Sequence, residues 1–299
     1  MTPPRLRDLP PPPTGKSGWP WIEETPPLPL LMPDGKLWPK ITIVTPSYNQ
    51  AAFLEETLRS VLLQGYPSLE YIVMDGGSSD GSAEIIERYA PWLAHWQSQR
   101  DDGQAGAIAD GFARASGEVL AWLNSDDRYQ PHALARVGAF FARSPRVGFL
   151  SSDVNHIKQD SSLIKRHYVA DPSFFITANV GFHNMVQPGC YWRREAYLLA
   201  GGMDRSFRFC MDRDLFLRLL RVARARRLSG PPLADFRHHS EAKSSTIRDV
   251  ATREGALLVE RYGSPLLRPL RRPIAHLWEL MKWPAKLRAW MHQNWRVEI

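Results

Sequence analysis

The chain has 299 residues, of which 43% are apolar and 23% charged. That composition excludes wholesale disorder, collagen-like repeats and low-complexity classes, and the length allows one large or two small domains. The net charge of +7 sits at one end: residues 261–299 hold eight basic residues against Glu279 and Glu298, a net +6, and the first 260 residues hold only +1. A nearly neutral body without a nucleic-acid-binding motif argues against nucleic acid as a partner. Cys190 and Cys210 are too few for a disulfide framework and fit a reducing compartment. No run of about 18 apolar residues is present. The start, MTPPRLRDLPPPPTG, lacks the apolar stretch of a secretory signal. A cytoplasmic protein is expected.

Twelve of the 25 prolines fall in residues 1–39. Proline fixes φ and removes a donor, so this arm is expected to be extended. Its Trp19, Trp21, Leu28, Leu30, Leu31 and Trp38 predict docking on the body. Strands and helices then alternate. Lys40–Thr45 reads as a buried strand and Ala51–Gln64 as a helix ended by Gly65. Leu69–Asp75 is a second strand, Ser82–Tyr89 a helix, Trp92–Ser98 a short strand and Gln104–Ala115 a helix. Glu118–Asn124 is a third strong strand, Pro131–Arg143 a helix and Val147–Asp153 a strand. This alternation predicts a doubly wound, parallel α/β sheet. Beyond about residue 155 the pattern loosens: a strand-like segment at Gln187–Arg193, a helix at Asp212–Arg224, a strand at Leu233–His238, and helices at Thr246–Tyr262 and Pro273–His292.

In open α/β sheets, ligands bind at the carboxyl ends of strands near the switch in strand order. Three strands here end in polar clusters: Thr45-Pro46-Ser47-Tyr48-Asn49, Asp75-Gly76-Gly77-Ser78-Ser79-Asp80-Gly81, and Asn124-Ser125-Asp126-Asp127. Singly, each is an ordinary turn or helix cap. None is a GxGxxG or GxxxxGK[ST] loop, which counts against dinucleotide enzymes and P-loop NTPases. Together they offer hydroxyls, glycine N–H groups and adjacent carboxylates, which suits a nucleotide whose diphosphate carries Mg²⁺ or Mn²⁺.

The stretches ITIVTPSYNQAAFLEETLRSVLLQGYPSLEYIVMDGGSSDGS and DDGQAGAIADGFARASGEVLAWLNSDD resemble the glycosyltransferase family 2 domain of bacterial polysaccharide biosynthesis. Weaker similarity runs through QPGCYWRREAYLLAGGMD and CMDRDLFLRL to FRHHSEAKSS. The resemblance implies a GT-A fold, a Rossmann-like, mostly parallel twisted sheet flanked by helices with a helical C-terminal extension. It implies a nucleotide-sugar donor (UDP-, GDP- or dTDP-linked), Mn²⁺ or Mg²⁺, and inversion at the anomeric carbon. It divides the chain into a Pro-rich arm (1–39), a transferase domain (40–262, with a nucleotide-binding half 40–130 and an acceptor half 131–262) and a tail (263–299).

Carried over by position, the resemblance puts Thr45, Pro46, Tyr48 and Asn49 in the nucleotide pocket, and Asp75 at the base edge beside Gly76 and Ser78. It puts Asp101, Gly103 and Gln104 along the nucleotide and sugar, and Asn124-Ser125-Asp126 at the family's DXD position. Asn124 departs from that pattern, because an amide is a poor metal ligand. Metal binding then falls to Asp126, with Asp127 and His239. Asp212 takes the place of the family's catalytic base, where Met211-Asp212 replaces the usual Glu-Asp; Asp214 is second, with dipole stabilisation of its helix as the competing role. Arg237-His238-His239, followed by Lys243 and Ser244, resembles a mobile loop that closes on the diphosphate.

A hydroxyl acceptor is a weak nucleophile and needs a carboxylate to take its proton, whereas the leaving diphosphate needs positive charge. Two other classes stay open: a sugar nucleotidyltransferase, which would release pyrophosphate, and a nucleotide-sugar binder without transferase activity, for which Asn124 is the best support. In the tail, Trp278, Trp283, Trp290 and Trp295 interleave with Lys282, Lys286 and Arg288. That pattern suits a membrane surface, and hence a glycan or lipid-linked acceptor; packing on protein competes with it.

Overall fold

A computed structural model describes residues 3–180, 185–240, 247–270, 273–274 and 276–277. In chain order the elements are β1 (Ile41–Ser47), α1 (Ala51–Leu62), β2 (Leu69–Asp75), α2 (Ser82–Tyr89), β3 (His95–Ser98), α3 (Gln104–Arg114), β4 (Val119–Trp122), β5 (Arg128–Tyr129), α4 (Ala133–Arg143), β6 (Phe149–Ser152), β7 (Val154–Lys158), β8 (Leu163–His167), α5 (Phe174–Val180), β9 (Cys190–Arg193), α6 (Arg194–Leu199), α7 (Met211–Val222), β10 (Ala225–Leu228), β11 (Ala234–His238) and α8 (Arg248–Tyr262).

The main sheet runs β10-β6-β9-β4-β1-β2-β3. Its pairs β1–β2, β1–β4, β2–β3 and β6–β10 are parallel. β9 is the exception: it lies antiparallel between β4 and β6. The expected sheet is therefore mostly parallel, with one reversed strand inside it. After β3 the chain crosses to the other side of β1 to form β4, so the order switches at β1/β4, where a crevice opens at the carboxyl ends.

Side chains alternate across the strands. Ile41, Ile43, Tyr71 and Val73 face a core closed by α1 and α4, through Leu54, Leu58, Val137 and Phe141. Val44, Ile72 and Met74 face the other, with Ile108 and Phe112 of α3, Phe216 of α7, and Trp122 and Trp192. Both faces are buried, which is why β1 and β2 read as continuous apolar runs.

A second sheet, β5-β11-β7-β8, was not foreseen. β5 is two residues long, and in β7 and β8 only Val154 and Ile157 are buried. Such strands carry almost no hydrophobic period. α5 and α6 likewise escaped the pattern, being seven and six residues long.

The arm folds onto α1 and α2. Trp21 and Trp38 are buried. Arg59 of α1, fully buried, donates to the carbonyls of Pro10 (2.8 Å), Pro20 (3.1 Å) and Trp21 (2.9 Å) and to Tyr89 Oη (3.1 Å). A proline-rich segment has few donors of its own, so its carbonyls need partners from the body. Of the helix expected at Pro273–His292, residues 273, 274, 276 and 277 are described and helical; the rest of it, the four tail tryptophans, Lys243 and Ser244 lie outside the described residues. Among the described residues, no helix is long and apolar enough to cross a membrane.

Glu70 of β2 ties the turn before β4 to β1: it accepts from Ser116 N (2.7 Å), Ser116 Oγ (2.6 Å) and Thr42 Oγ1 (2.6 Å), and pairs with Lys40 (2.9 Å). Burial pushes its carboxyl up, but these hydrogen bonds outweigh that and hold it at about 2, against an ordinary 4.5. A depressed carboxyl stabilises the fold above its unfolded value and loses that contribution as pH falls through the folded one. Wild type is therefore expected to lose urea resistance between pH 4.5 and about 2, and Glu70→Gln to lose markedly less over the same interval. Parallel pH profiles for the two proteins would refute this.

Candidate active site

The three polar clusters emerge at the carboxyl ends of β1, β2 and β4 and are joined by hydrogen bonds. Asn49, at φ +51°, sits in the left-handed turn after β1. Its N–H donates to Ser78 Oγ (2.8 Å), and its Oδ1 accepts from Ser79 N (3.0 Å). Asp75 is buried and accepts from Gly77 N (3.1 Å), Ser78 N (2.9 Å), Ser78 Oγ (2.6 Å) and Ser98 Oγ (2.7 Å). It thereby sets the Gly76–Ser78 turn. Asp101 accepts from Gly103 N (2.7 Å) and lies over Gly76, where a Cβ would meet Asp101 Oδ2 at 3.0 Å. A side chain at 76 would press on that carboxylate and require it to shift by a few tenths of an ångström.

Within the first cluster the roles divide. Thr45 is buried, with its hydroxyl against Tyr71 Oη (2.9 Å). Pro46 is buried at the strand end, and Tyr48 is 63% exposed. Ser47, paired with Asp75 across the strands, has a buried hydroxyl without a hydrogen-bond partner among the described residues. A buried orphan oxygen at a crevice is a point where a ligand gains.

The third cluster shows why residue 124 is an amide. Asn124 Oδ1 accepts from Gln104 Nε2 (2.8 Å), and its Nδ2 donates to Gln187 Oε1 (3.3 Å). Gln187 in turn donates to Trp122 O (2.7 Å). A carboxylate at 124 could accept from Gln104 but would face the Gln187 oxygen without a donor. Ser125 is buried, and its carbonyl and that of Asp127 lie 3.0 and 2.6 Å from Thr57 Oγ1 of α1.

Asp126 and Asp127 point to different surroundings. Asp127 is fully buried and accepts from Arg237 N (2.9 Å); burial, and then the Asp126 charge, push its carboxyl well above the usual range. Asp126 is partly exposed and meets the nearly buried imidazole of His239, Oδ2 to Nε2, at 3.0 Å. Phe53 of α1 backs that ring, with centroids 4.7 Å apart.

The two are hydrogen-bonded to each other. Adjacent ligands of an octahedral ion at about 2.1 Å would also stand about 3 Å apart. Among the described residues no group of three or more His, Cys, Asp or Glu is arranged to hold a metal, so the remaining positions would fall to water and substrate phosphates, as such ions favour.

Asp212 is half-buried in the first turn of α7, and its Oδ1 accepts from Arg213 N (2.7 Å). Its charge reaches the Cys190 and Cys210 thiols, which are raised first by burial and next by Asp212. Asp214 is committed elsewhere. It is fully buried, bound by Arg218 (2.8 and 2.6 Å) and Tyr262 Oη (2.9 Å).

Three roles escaped sequence reasoning, although Arg237 stands in the segment that resembles a closing loop. Gln187 is separated from Asn124 by 63 positions. Glu254 of α8 accepts from Arg208, Phe209 and Cys210 N–H (2.8, 2.9 and 2.7 Å), fixing the approach to Asp212. Arg237, 1% exposed at its side chain, donates to Asp126 O (2.8 Å) and Glu56 (2.9 Å) and stacks on Phe53. No local pattern marks any of them, because each acts across the fold.

With this geometry in place, the likenesses to known proteins can be stated. The Glycosyl transferase family 2 model matches residues 42–197. The chain belongs to that family. An uncharacterised glycosyltransferase of Nostoc sp. is 38% identical over 114 residues, covering 37% of this chain and 35% of the relative. The O-antigen biosynthesis protein RfbC of Myxococcus xanthus is 29% identical over 225 residues, covering 73% of this chain but 17% of the relative. The chain therefore spans well under half the length of these relatives.

Solved structures share the fold. TarS 1-349 of S. aureus in complex with UDP-GlcNAc superposes with TM-score 0.60 at 16% identity, covering 82% of this chain and 73% of that one. The mannosyltransferase PcManGT of Pyrobaculum calidifontis, in complex with GDP-Man and Mn²⁺, gives TM-score 0.56 at 21% identity over 89% and 79%. The GT-A architecture expected from the sequence is the observed one.

Arg237 offers a direct check on this framework. Removing one partner of a buried ion pair strands the other charge and costs about 3–5 kcal/mol. Arg237→Met is expected to lower the urea-unfolding free energy by about that much. A loss below about 1 kcal/mol, typical of an exposed pair, would contradict it.

Proposed function

We propose that this chain is an inverting glycosyltransferase that moves a sugar from a nucleotide-sugar donor to a glycan or lipid-linked acceptor. The observation that carries this reading is the convergence of three strand-end loops on one crevice, where Asp126 and His239 stand 3.0 Å apart. Family membership and the nucleotide-sugar complexes of two proteins of the same fold support it.

In this reading the first two loops form the nucleotide wall. Thr45, Pro46, Tyr48 and Asn49 supply one side, and Asp75, Gly76 and Ser78 the other. Asp101, Gly103 and Gln104 line the way from nucleotide to sugar, and Asn124 and Ser125 hold the floor. A divalent ion, Mn²⁺ or Mg²⁺, held by Asp126 and His239 would neutralise the leaving diphosphate. Asp127 keeps the loop in shape from beneath through Arg237 N.

Asp212 takes the proton of the attacking hydroxyl. It is the carboxylate at this helix start with exposure to solvent, whereas Asp214 is locked by Arg218 and Tyr262. Displacement in one step needs no covalent intermediate. Beyond the described residues, the basic, tryptophan-bearing tail at 273–299 suits attachment to an anionic membrane surface.

A nucleotide-release screen over UDP-, GDP- and dTDP-sugars with Mn²⁺ and Mg²⁺ tests the class. Release of a nucleoside diphosphate is expected; pyrophosphate release, or no turnover of any donor with any acceptor, would reject it. Asp212→Asn is expected to keep donor affinity and lose turnover by about 10²–10⁴-fold, the usual worth of a general base; near-normal turnover removes Asp212 from the role. Asp126→Ala is expected to raise the Mn²⁺ concentration for half-maximal rate at least about tenfold. An unchanged metal dependence would put the ion elsewhere.

A further inference from the structure

The donor crevice uses the carboxyl ends of β1, β2 and β4. The opposite end of the main sheet, at its β10 edge, has a different character. There, the loop between α4 and β6 meets the start of β10 around an open cleft of about 440 Å³. Five arginines line it, Arg143, Arg146, Arg224, Arg226 and Arg227, together with Phe140. No Asp or Glu lines it.

One of the five has a carboxylate partner: Arg227 binds Asp153 at 2.9 Å. Arg143, Arg146, Arg224 and Arg226 form no ion pair among the described residues. The usual task of a basic residue at a helix C-terminus is to bind the last carbonyls. Here Arg193 already does so, donating to Phe141 O (2.8 Å), Ser144 O (3.3 Å) and Val147 O (3.0 Å). Arg143 and Arg146 are thus left over from that role.

The scaffold under the guanidinium groups is firm. Arg224 O accepts from Gly148 N (2.9 Å) and Phe149 N (3.2 Å), and Arg226 is in register with Leu150. Gly148 is pinned between Ala223 and Ala196, where a Cβ would meet theirs at 2.7 and 3.4 Å. Like charges that line one cleft repel, and an anion among them relieves that repulsion. Guanidinium forks match phosphate oxygens two bonds at a time, which ammonium groups do not.

We propose that this arginine cleft is a second binding site of the chain, specific for phosphate oxyanions and separate from the donor crevice. It does not rest on the transferase reading. Two sources present that chemistry, the headgroup phosphates of an anionic lipid surface and a soluble polyphosphate. The neighbourhood favours the lipid: Leu198 and Leu199 of α6 and Val222 at the end of α7 are exposed on the helices flanking Gly148. Exposed aliphatic side chains beside a basic cleft fit the boundary between headgroups and acyl chains.

The test compares the full chain with Arg143→Ala/Arg146→Ala/Arg224→Ala and with a charge-matched control, Arg7→Ala/Lys36→Ala/Arg114→Ala, drawn from exposed positions away from the cleft. Each is assayed without divalent metal at about 150 mM salt, where non-specific attraction is screened. One arm is co-sedimentation with phosphatidylglycerol–phosphatidylcholine vesicles against phosphatidylcholine alone; the other is calorimetric titration with inorganic tripolyphosphate. All six substituted side chains are exposed, so thermal midpoints should stay close to wild type and report that the fold is intact. The cleft variant is expected to lose at least about tenfold in association while the control keeps wild-type binding. Loss confined to vesicles identifies the lipid headgroup, and loss with tripolyphosphate identifies a soluble phosphate. If both variants match wild type in both arms, or both fall equally, the cleft is not a site.

Discussion

The buried ion pair between Arg237 and Glu56 is the constraint on which the crevice depends. Glu56 lies in α1, Arg237 in the second sheet, and their contact of 2.9 Å brings those two units together. Arg128 of β5 joins the same carboxylate at 2.6 Å and reaches Asp235 of β11 at 2.6 Å. Arg237 then spends its remaining donors on the carbonyls of Asp126 and Gln159 and on Ser161. Burying so many charges costs several kcal/mol per ion unless every donor and acceptor is matched. Matched in this way, the cluster holds the Asp126 loop, His239 two residues further on, and the Phe53 ring behind it in one arrangement. Apolar packing alone would not orient that loop, because it exposes no large side chain to pack.

This explains which parts of the molecule were legible in the sequence. β1, β2 and β4 are buried on both faces and announce themselves as apolar runs, and the polar clusters after them follow from chain order alone. Asp75, Gly76, Asp101 and Asp126 were therefore found at the crevice. The second sheet was not, because β7 and β8 present His156, Lys165 and His167 along strands with few buried positions, so no period of two survives. The roles of Arg237, Gln187 and Glu254 were invisible for a different reason. Each reaches its target across more than 40 positions of chain, and nothing in the surrounding residues encodes where a long polar side chain will end. Asp212 and Asp214 show the reverse: the resemblance ranks Asp212 before Asp214, and the structure shows Asp214 fully committed to Arg218 and Tyr262.

The ends of the main sheet divide the polar chemistry by charge. At the carboxyl ends, Asp75, Asp101, Asp126, Asp127 and Asp212 gather with few cations pointing outward. At the amino end of β6 and β10, arginines gather, and among the described residues Arg227 is the one of the five in an ion pair, with Asp153. The two sets lie a full strand length apart, and surface charges separated by more than a Debye length of about 8 Å hardly feel each other. A nearly neutral body is thus the sum of two opposite poles rather than a uniform surface. The two poles face opposite ends of the main sheet.

Asn124 has a place in the same logic. A carboxylate at 124 would add a third acidic group to a loop that already carries Asp126 and Asp127. The amide avoids that charge and still holds its position from both sides, through Gln104 at 2.8 Å and Gln187 at 3.3 Å. Gln104 opens α3 and Gln187 precedes β9, so the amide chain links the nucleotide-side helix to the reversed strand. The departure from the acidic pattern therefore makes residue 124 a brace. Asp126 and His239 face each other at 3.0 Å, and the Arg237 framework fixes the Asp126 carbonyl from behind.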